Sequence, residues 1–170
     1  MVVLGKPVGN GHPIGVVVTT AGIANSFANG MEFFSTFGGT TLACLIGAEV
    51  LQIVDDEGLQ ANAAKTGAQL LAGFRKLQSR YDLIGDVRGR GLFLGVELVC
   101  DRQTKAPATA LAGYVANRMR EHRILIGTDG PFDNFLKIRP PLTIDGDDCE
   151  MLLSRLDQVL AEAQLINQAG

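Results

Sequence analysis

The sequence predicts an α/β chain in two parts. Short β-branched runs alternate with stretches whose apolar residues recur every three or four positions, and charge is sparse before residue 55. The composition then changes at Asp55, Asp56, Glu57 and Gly58, where a nearly uncharged helical stretch gives way to an amphipathic one. The predicted parts are residues 1–54 and residues 55–170.

Composition narrows the function classes. With 46% hydrophobic and 19% charged residues in 170, the chain can bury a real core. A net charge of -3 without a basic stripe argues against nucleic acid and anionic membrane as partners. No apolar run escapes interruption by charge for long enough to span a bilayer. Cys44, Cys100 and Cys149 are widely spaced with no CxxC pair, so neither a disulfide framework nor a metal site is expected, and a reducing cytoplasm is the simplest compartment.

Residues 14–20 (IGVVVTT), bounded by Pro13 and Gly22, read as a short buried strand, central in its sheet. A helical segment is expected at 23–29. Residues 30–41 form a loop rich in glycine and threonine, whose Thr40 or Thr41 could cap the next helix. That helix, 42–54, carries almost no charge except Glu49 and is expected to be buried on most sides. From 59 to 78, Ala63, Gly67, Leu70, Leu71, Phe74 and Leu77 mark one face of an amphipathic helix, with Lys65, Arg75 and Lys76 on the other. Strands at 83–87 and 92–99 flank the bend Arg88-Gly89-Arg90-Gly91. A helix after Pro107 turns Leu111, Val115 and Met119 inward. A strand at 124–126, a turn at 128–131 and a strand at 135–138 lead to Pro140-Pro141. The last helix, 147–164, opens on acids and carries Leu152, Leu156, Val159, Leu160 and Ala163 on one face.

Three segments carry candidate chemistry. Lys6 stands in Gly5-Lys6-Pro7-Val8-Gly9-Asn10-Gly11-His12-Pro13, directly before a strand; glycines allow a ligand close to the backbone, while a lysine in a polar turn can equally be solvated. This is no Walker loop, because the lysine precedes the glycines. Phe34-Ser35-Thr36-Phe37-Gly38-Gly39-Thr40-Thr41 offers hydroxyls and backbone N–H groups ahead of a helix, suited to a phosphate or to ordinary capping. In Leu136-Lys137-Ile138-Arg139-Pro140-Pro141, the period of two puts Lys137 and Arg139 on one face, either as an anion site or as a solvated edge. His12 and His122 read as structural or surface residues.

Together these segments resemble the class III aminotransferases. That family's lysine lies in a K-x-x-G-N-G-x-P run before a strand, its T-x-G-G motif lies about thirty residues later, and a glycine-rich strand motif similar to residues 87–98 follows. The resemblance covers essentially the whole chain. It implies the end of a fold-type I large domain followed by a small α+β domain. It also implies pyridoxal 5'-phosphate (PLP) as cofactor and amino-group transfer through a Schiff base on Lys6, which would carry a proton when displaced. Thr36 would bind the PLP phosphate of the neighbouring subunit.

In many family members an arginine three residues before the first proline pairs with the substrate carboxylate; here that place holds Lys137. This departure, with Gly5-Lys6-Pro7, Gly11-His12-Pro13 and Asp129-Gly130-Pro131, looks more like the branch of phospho-lyases acting on phosphoethanolamine or phosphohydroxylysine. Lys137 and Arg139 would then bind the anionic group of a small-molecule amine or amino-acid substrate. Family members are more than twice as long, with cofactor contacts in their upstream half, so the resemblance implies a fragment of the full enzyme. A homodimer, or pairing with a missing N-terminal half, is expected. The reading from another class is a non-catalytic remnant or interaction domain.

Overall fold

Two short valine runs pair first. In the computed structural model, which describes residues 1–169, β1 (Val2–Leu4) lies antiparallel to β2 (Val16–Val18), with Val3 opposite Val17. Between them Lys6–Gly9 form a single 3-10 turn. After β2 come α1 (Ala21–Ser26), an irregular loop and α2 (Thr41–Asp56). These elements make one compact unit, Met1–Gly58, and a second comprises Leu59–Gly170. The sequence-predicted division after residue 54 would fall inside the last turn of α2, since that helix continues to Asp56.

Two expectations for the first unit are corrected. The strand at 14–20 is shorter, and it is not buried: Val17 and Val18 are exposed. The helix expected to be buried on most sides has one buried residue, Gly47, while Leu42 and Leu45 are each 64% exposed. Apolar composition shows what a segment can bury, but burial requires a second layer. Among the described residues of this unit, β1 is the only strand beside β2. Besides the β1–β2 pair, the Lys6 turn meets α2, and the Ile14 side chain lies against Gly47 and Gly9.

The second unit is built on α3 (Leu59–Arg80), β3 (Ile84–Arg90), β4 (Phe93–Leu98), α4 (Thr109–Glu121), β5 (Gly127–Asp129), β6 (Phe135–Ile138) and α5 (Gly146–Ala169). The strands form one antiparallel sheet in the order β3-β4-β6-β5. Alternation divides its faces. Val87, Leu94, Val96, Leu98, Leu136 and Ile138 join Leu70, Phe74, Val115, Leu156 and Leu160 from the helices in one core. The opposite face carries Arg88, Phe93, Glu97 and Lys137. All five residues predicted for the inward face of α5, Leu152, Leu156, Val159, Leu160 and Ala163, are buried.

A strand expected at 124–126 is absent, and β5 lies at 127–129 instead, overlapping the expected turn. The preceding residues are used to end α4: Arg123 adopts a left-handed φ of 63°, and the Ile124 N–H donates to the Met119 carbonyl at 2.9 Å. Strand pairing therefore begins at Gly127, opposite Lys137.

Polar ties close the helical layer. Arg102 donates to the Ile84 carbonyl at 3.2 Å, to the Tyr81 carbonyl at 2.9 Å and to the Gln78 carbonyl, so one guanidinium serves the last turn of α3 and the start of β3. Between α4 and α5, Arg118 grips Glu162 with Nε at 2.8 Å and Nη2 at 3.1 Å, and the Tyr114 hydroxyl donates at 3.0 Å. The Arg118 guanidinium and the Tyr114 hydroxyl hold the Glu162 carboxyl well below its ordinary value of 4.5, at about 2. A carboxyl depressed on folding stabilises above its unfolded value and loses that contribution as pH falls through the folded one. The urea midpoint is therefore expected to fall between about pH 4.5 and 2, with a smaller fall across that window in Arg118→Met; an equal fall in both proteins would place the acid sensitivity elsewhere.

Candidate functional site

The turn that carries Lys6 is set by backbone geometry. Pro7 restricts φ in the first turn, the Val8 N–H donates to the Gly5 carbonyl at 3.0 Å, and the Asn10 N–H donates to the Pro7 carbonyl at 3.1 Å. Asn10 then adopts a left-handed φ of 43° and Gly11 a φ of 108°, conformations that asparagine tolerates and glycine adopts freely. Val8 and Gly9 are buried while Lys6 is exposed and has no ion-pair partner among the described residues.

The hydroxyl-rich loop lies in the same unit. A cavity of about 840 Å³ is lined on one side by His12, Pro13 and Ile14 and on another by Gly38, Gly39 and Thr40. It therefore joins the end of the lysine segment to the T-x-G-G segment, although neither Lys6 nor Thr36 is in its lining. Thr40 is the N-cap of α2, one of the two positions expected, but it makes no side-chain cap bond, and Thr41 is already helical. The Gly38 N–H instead donates to the Ser35 hydroxyl at 3.0 Å, and Thr36 is exposed.

In the second unit the cations gather on the sheet face opposite the core. Arg88, Gly95, Lys137 and Gly127 form one row across all four strands. Lys137 and Arg139 also line a cavity of about 530 Å³ that is bounded by Ile138, Ile144 and Leu152 of the core and therefore does not lie on that face alone; Arg123 and Asp148 add another cation and an acid. The charges are not equally available. Arg88 pairs with Asp86 at 2.9 Å, reaches Glu97 at 4.0 Å and covers the Phe135 ring at 4.5 Å. Lys137 is paired with Asp129. Arg139 lies over the Phe93 ring at 5.8 Å with no carboxylate at ion-pair distance among the described residues.

Asp129 is the site residue that sequence reasoning missed. Read as part of a turn, it had no reason to meet Lys137; as a strand residue beside β6 it is the diagonal neighbour of Lys137 on one face. The Lys137 ammonium, followed by the Gly130 N–H at 2.8 Å, holds its carboxyl below the usual carboxylate range, and Arg139 adds to the effect. The D-G-P sequence signals a turn strongly and conceals the strand immediately before it.

Residues 1–160 match the family model described as aminotransferase class III. The chain belongs to this family. It is 43% identical over 155 residues to an alanine–glyoxylate aminotransferase 2-like protein of Drosophila melanogaster, covering 90% of this chain and 31% of that protein. Among solved structures, a phospholyase from Arthrobacter in complex with phosphoethanolamine superposes with a TM-score of 0.89 at 40% identity, covering 94% of this chain and 38% of that one. A PLP-bound amine transaminase from an uncultivated Pseudomonas species gives 0.79 at 33% identity, covering 95% and 38%. The chain spans about a third of the length of the curated relatives it matches. The fold is thus that of the class III aminotransferases, a partial segment of fold type I, and the similarity extends to both transaminases and phospho-lyases.

Proposed function

We propose that this chain forms the lysine-bearing and C-terminal part of a PLP-dependent class III enzyme that transfers an amino group between small-molecule amines or amino acids. The observation that carries this reading is the Lys6 turn: an exposed, unpaired amine held in a backbone built by Pro7, Asn10 and Gly11, within the family's match. The donor set fits the cofactor, since a primary amine suits its aldehyde and the Thr36 hydroxyl suits its phosphate. When bound, PLP supplies an electron sink for bond cleavage at the amine-bearing carbon. Lys6 would hold the cofactor through Nζ and carry a proton at that atom when free. Thr36 would donate to the cofactor phosphate of a neighbouring subunit, making the working form a homodimer or an assembly with an upstream half. The free thiols of Cys44, Cys100 and Cys149 suit the cytoplasm.

Lys137 and Arg139, sharing one face and one cavity, favour a second reading, elimination of phosphate from a phosphorylated amine or amino acid. The similarity to a phospholyase bound to phosphoethanolamine supports it.

PLP titration of the purified chain, followed by borohydride reduction and peptide mapping beside Lys6→Ala, tests the cofactor role. A single pyridoxyl adduct on Lys6, lost completely in the variant, is expected. An adduct spread over surface lysines, or none, would favour the non-catalytic reading. In a separate sample loaded with PLP and left unreduced, release of inorganic phosphate from phosphoethanolamine separates phospho-lyase from transaminase.

A further inference from the structure

We infer that Asp129 is an internal competitor on the anion-binding face of Lys137 and Arg139, occupying Lys137 when no anion is bound and limiting how tightly the face holds a phosphate group. The inference rests on the anion-binding reading of those two cations and assigns a role to a residue outside it. Geometry supports the pairing. Gly127 faces Lys137 across the β5–β6 ladder and Asp129 faces Phe135, so Asp129 and Lys137 are diagonal neighbours whose side chains share a face. The carboxylate is oriented as well as near: Oδ1 accepts the Gly130 N–H at 2.8 Å, leaving Oδ2 for the Lys137 ammonium.

The charges around the pair make Asp129 the natural rival of an incoming anion. Arg88 is engaged by Asp86 and Glu97, and Arg139 is unpaired among the described residues. A phosphate arriving on the Arg139 fork can use two of its oxygens there and offer a third to Lys137, whose ammonium has three donors. Asp129 lies outside the lining of the cavity that Lys137 and Arg139 share and lines a second one with Lys137 and Arg88, so the anion and Asp129 compete for the one ammonium common to both. A dianion feels the repulsion of the Asp129 charge about twice as strongly as a monoanion. Asp129 and Lys137 are both partly open to solvent, with side chains 51% and 31% exposed, so the pair can separate and re-form without unfolding β5 or β6. Re-formation as the anion departs favours release, which a phosphate-binding face needs if it is to turn over.

The experiment titrates inorganic phosphate and acetate separately into the full 170-residue chain. It is run at constant ionic strength and about pH 8, where phosphate carries close to two charges, and follows the amide resonances of residues 135–139. Wild type is compared with Asp129→Asn and Arg139→Ala. Asn keeps an oxygen for the Gly130 N–H and removes the charge. In Asp129→Asn the phosphate dissociation constant is expected to fall roughly fivefold and that of acetate about twofold. Phosphate binding that is unchanged or weaker in Asp129→Asn, while still lost in Arg139→Ala, would overturn the competitor role and leave the anion face standing. Phosphate binding indifferent to Arg139→Ala, or absent from both wild type and Asp129→Asn, would overturn the anion face itself and the inference with it.

Discussion

Gly67→Ala is expected to destabilise the second unit by about 3 kcal/mol. Helix propensity alone predicts the opposite, a gain of about 1 kcal/mol, because alanine is the better helix former in the middle of α3. Packing decides the sign. A Cβ at Gly67 would stand 2.2 Å from the carbonyl oxygen of Gly91 and 2.4 Å from its carbonyl carbon. Those are backbone atoms of the β3–β4 hairpin and cannot rotate away. Gly91 has a φ of 54° in the two-residue link between Arg90 and Phe93, so the hairpin itself depends on a conformation that few other residues adopt. Relieving the clash means moving α3 off the hairpin turn. Urea unfolding followed by circular dichroism measures the effect; a variant more stable than wild type would show that α3 and the hairpin are not in contact.

Phe74→Ala is expected to cost about 3–5 kcal/mol, whereas Leu45→Ala should change stability by no more than about 0.5 kcal/mol. Both remove large apolar side chains from helices, and by sequence the helix of Leu45 is the more apolar of the two. Phe74 is fully buried, and its loss leaves a cavity between α3 and the sheet that the surrounding leucines and valines fill only partly. Leu45 is 64% exposed and loses little contact when truncated. Hydrogen exchange measured separately over residues 41–56 and 59–80 distinguishes the two sites. A comparable loss of protection at both would mean that α2 is covered in solution.

The amphipathic helices were legible because their information is local. Leu70, Phe74 and Leu77 recur at helical spacing in α3, as do Leu111, Val115 and Met119 in α4, and each is buried. Strand β6 was legible at 135–138 for the same reason, since alternation alone puts Leu136 and Ile138 against the core and Lys137 on the other face. Strand β5 was not. Thr128 and Asp129 have turn-like neighbours, and what makes them a strand is pairing with Leu136 and Phe135, a relation no window along the chain contains.

The same division runs through the candidate site. By itself the sequence determined the family resemblance, the order of the motifs around Lys6 and Thr36, and the shared face of Lys137 and Arg139, because all of these follow from residue identity and spacing. Only the tertiary structure decided which apolar residues are covered, that Gly67 admits a hairpin backbone, and that Asp129 rather than solvent meets Lys137. Each of those depends on a second segment arriving from elsewhere in the chain. Burial, close approach and ion pairing are properties of two surfaces, and a spacing pattern describes one.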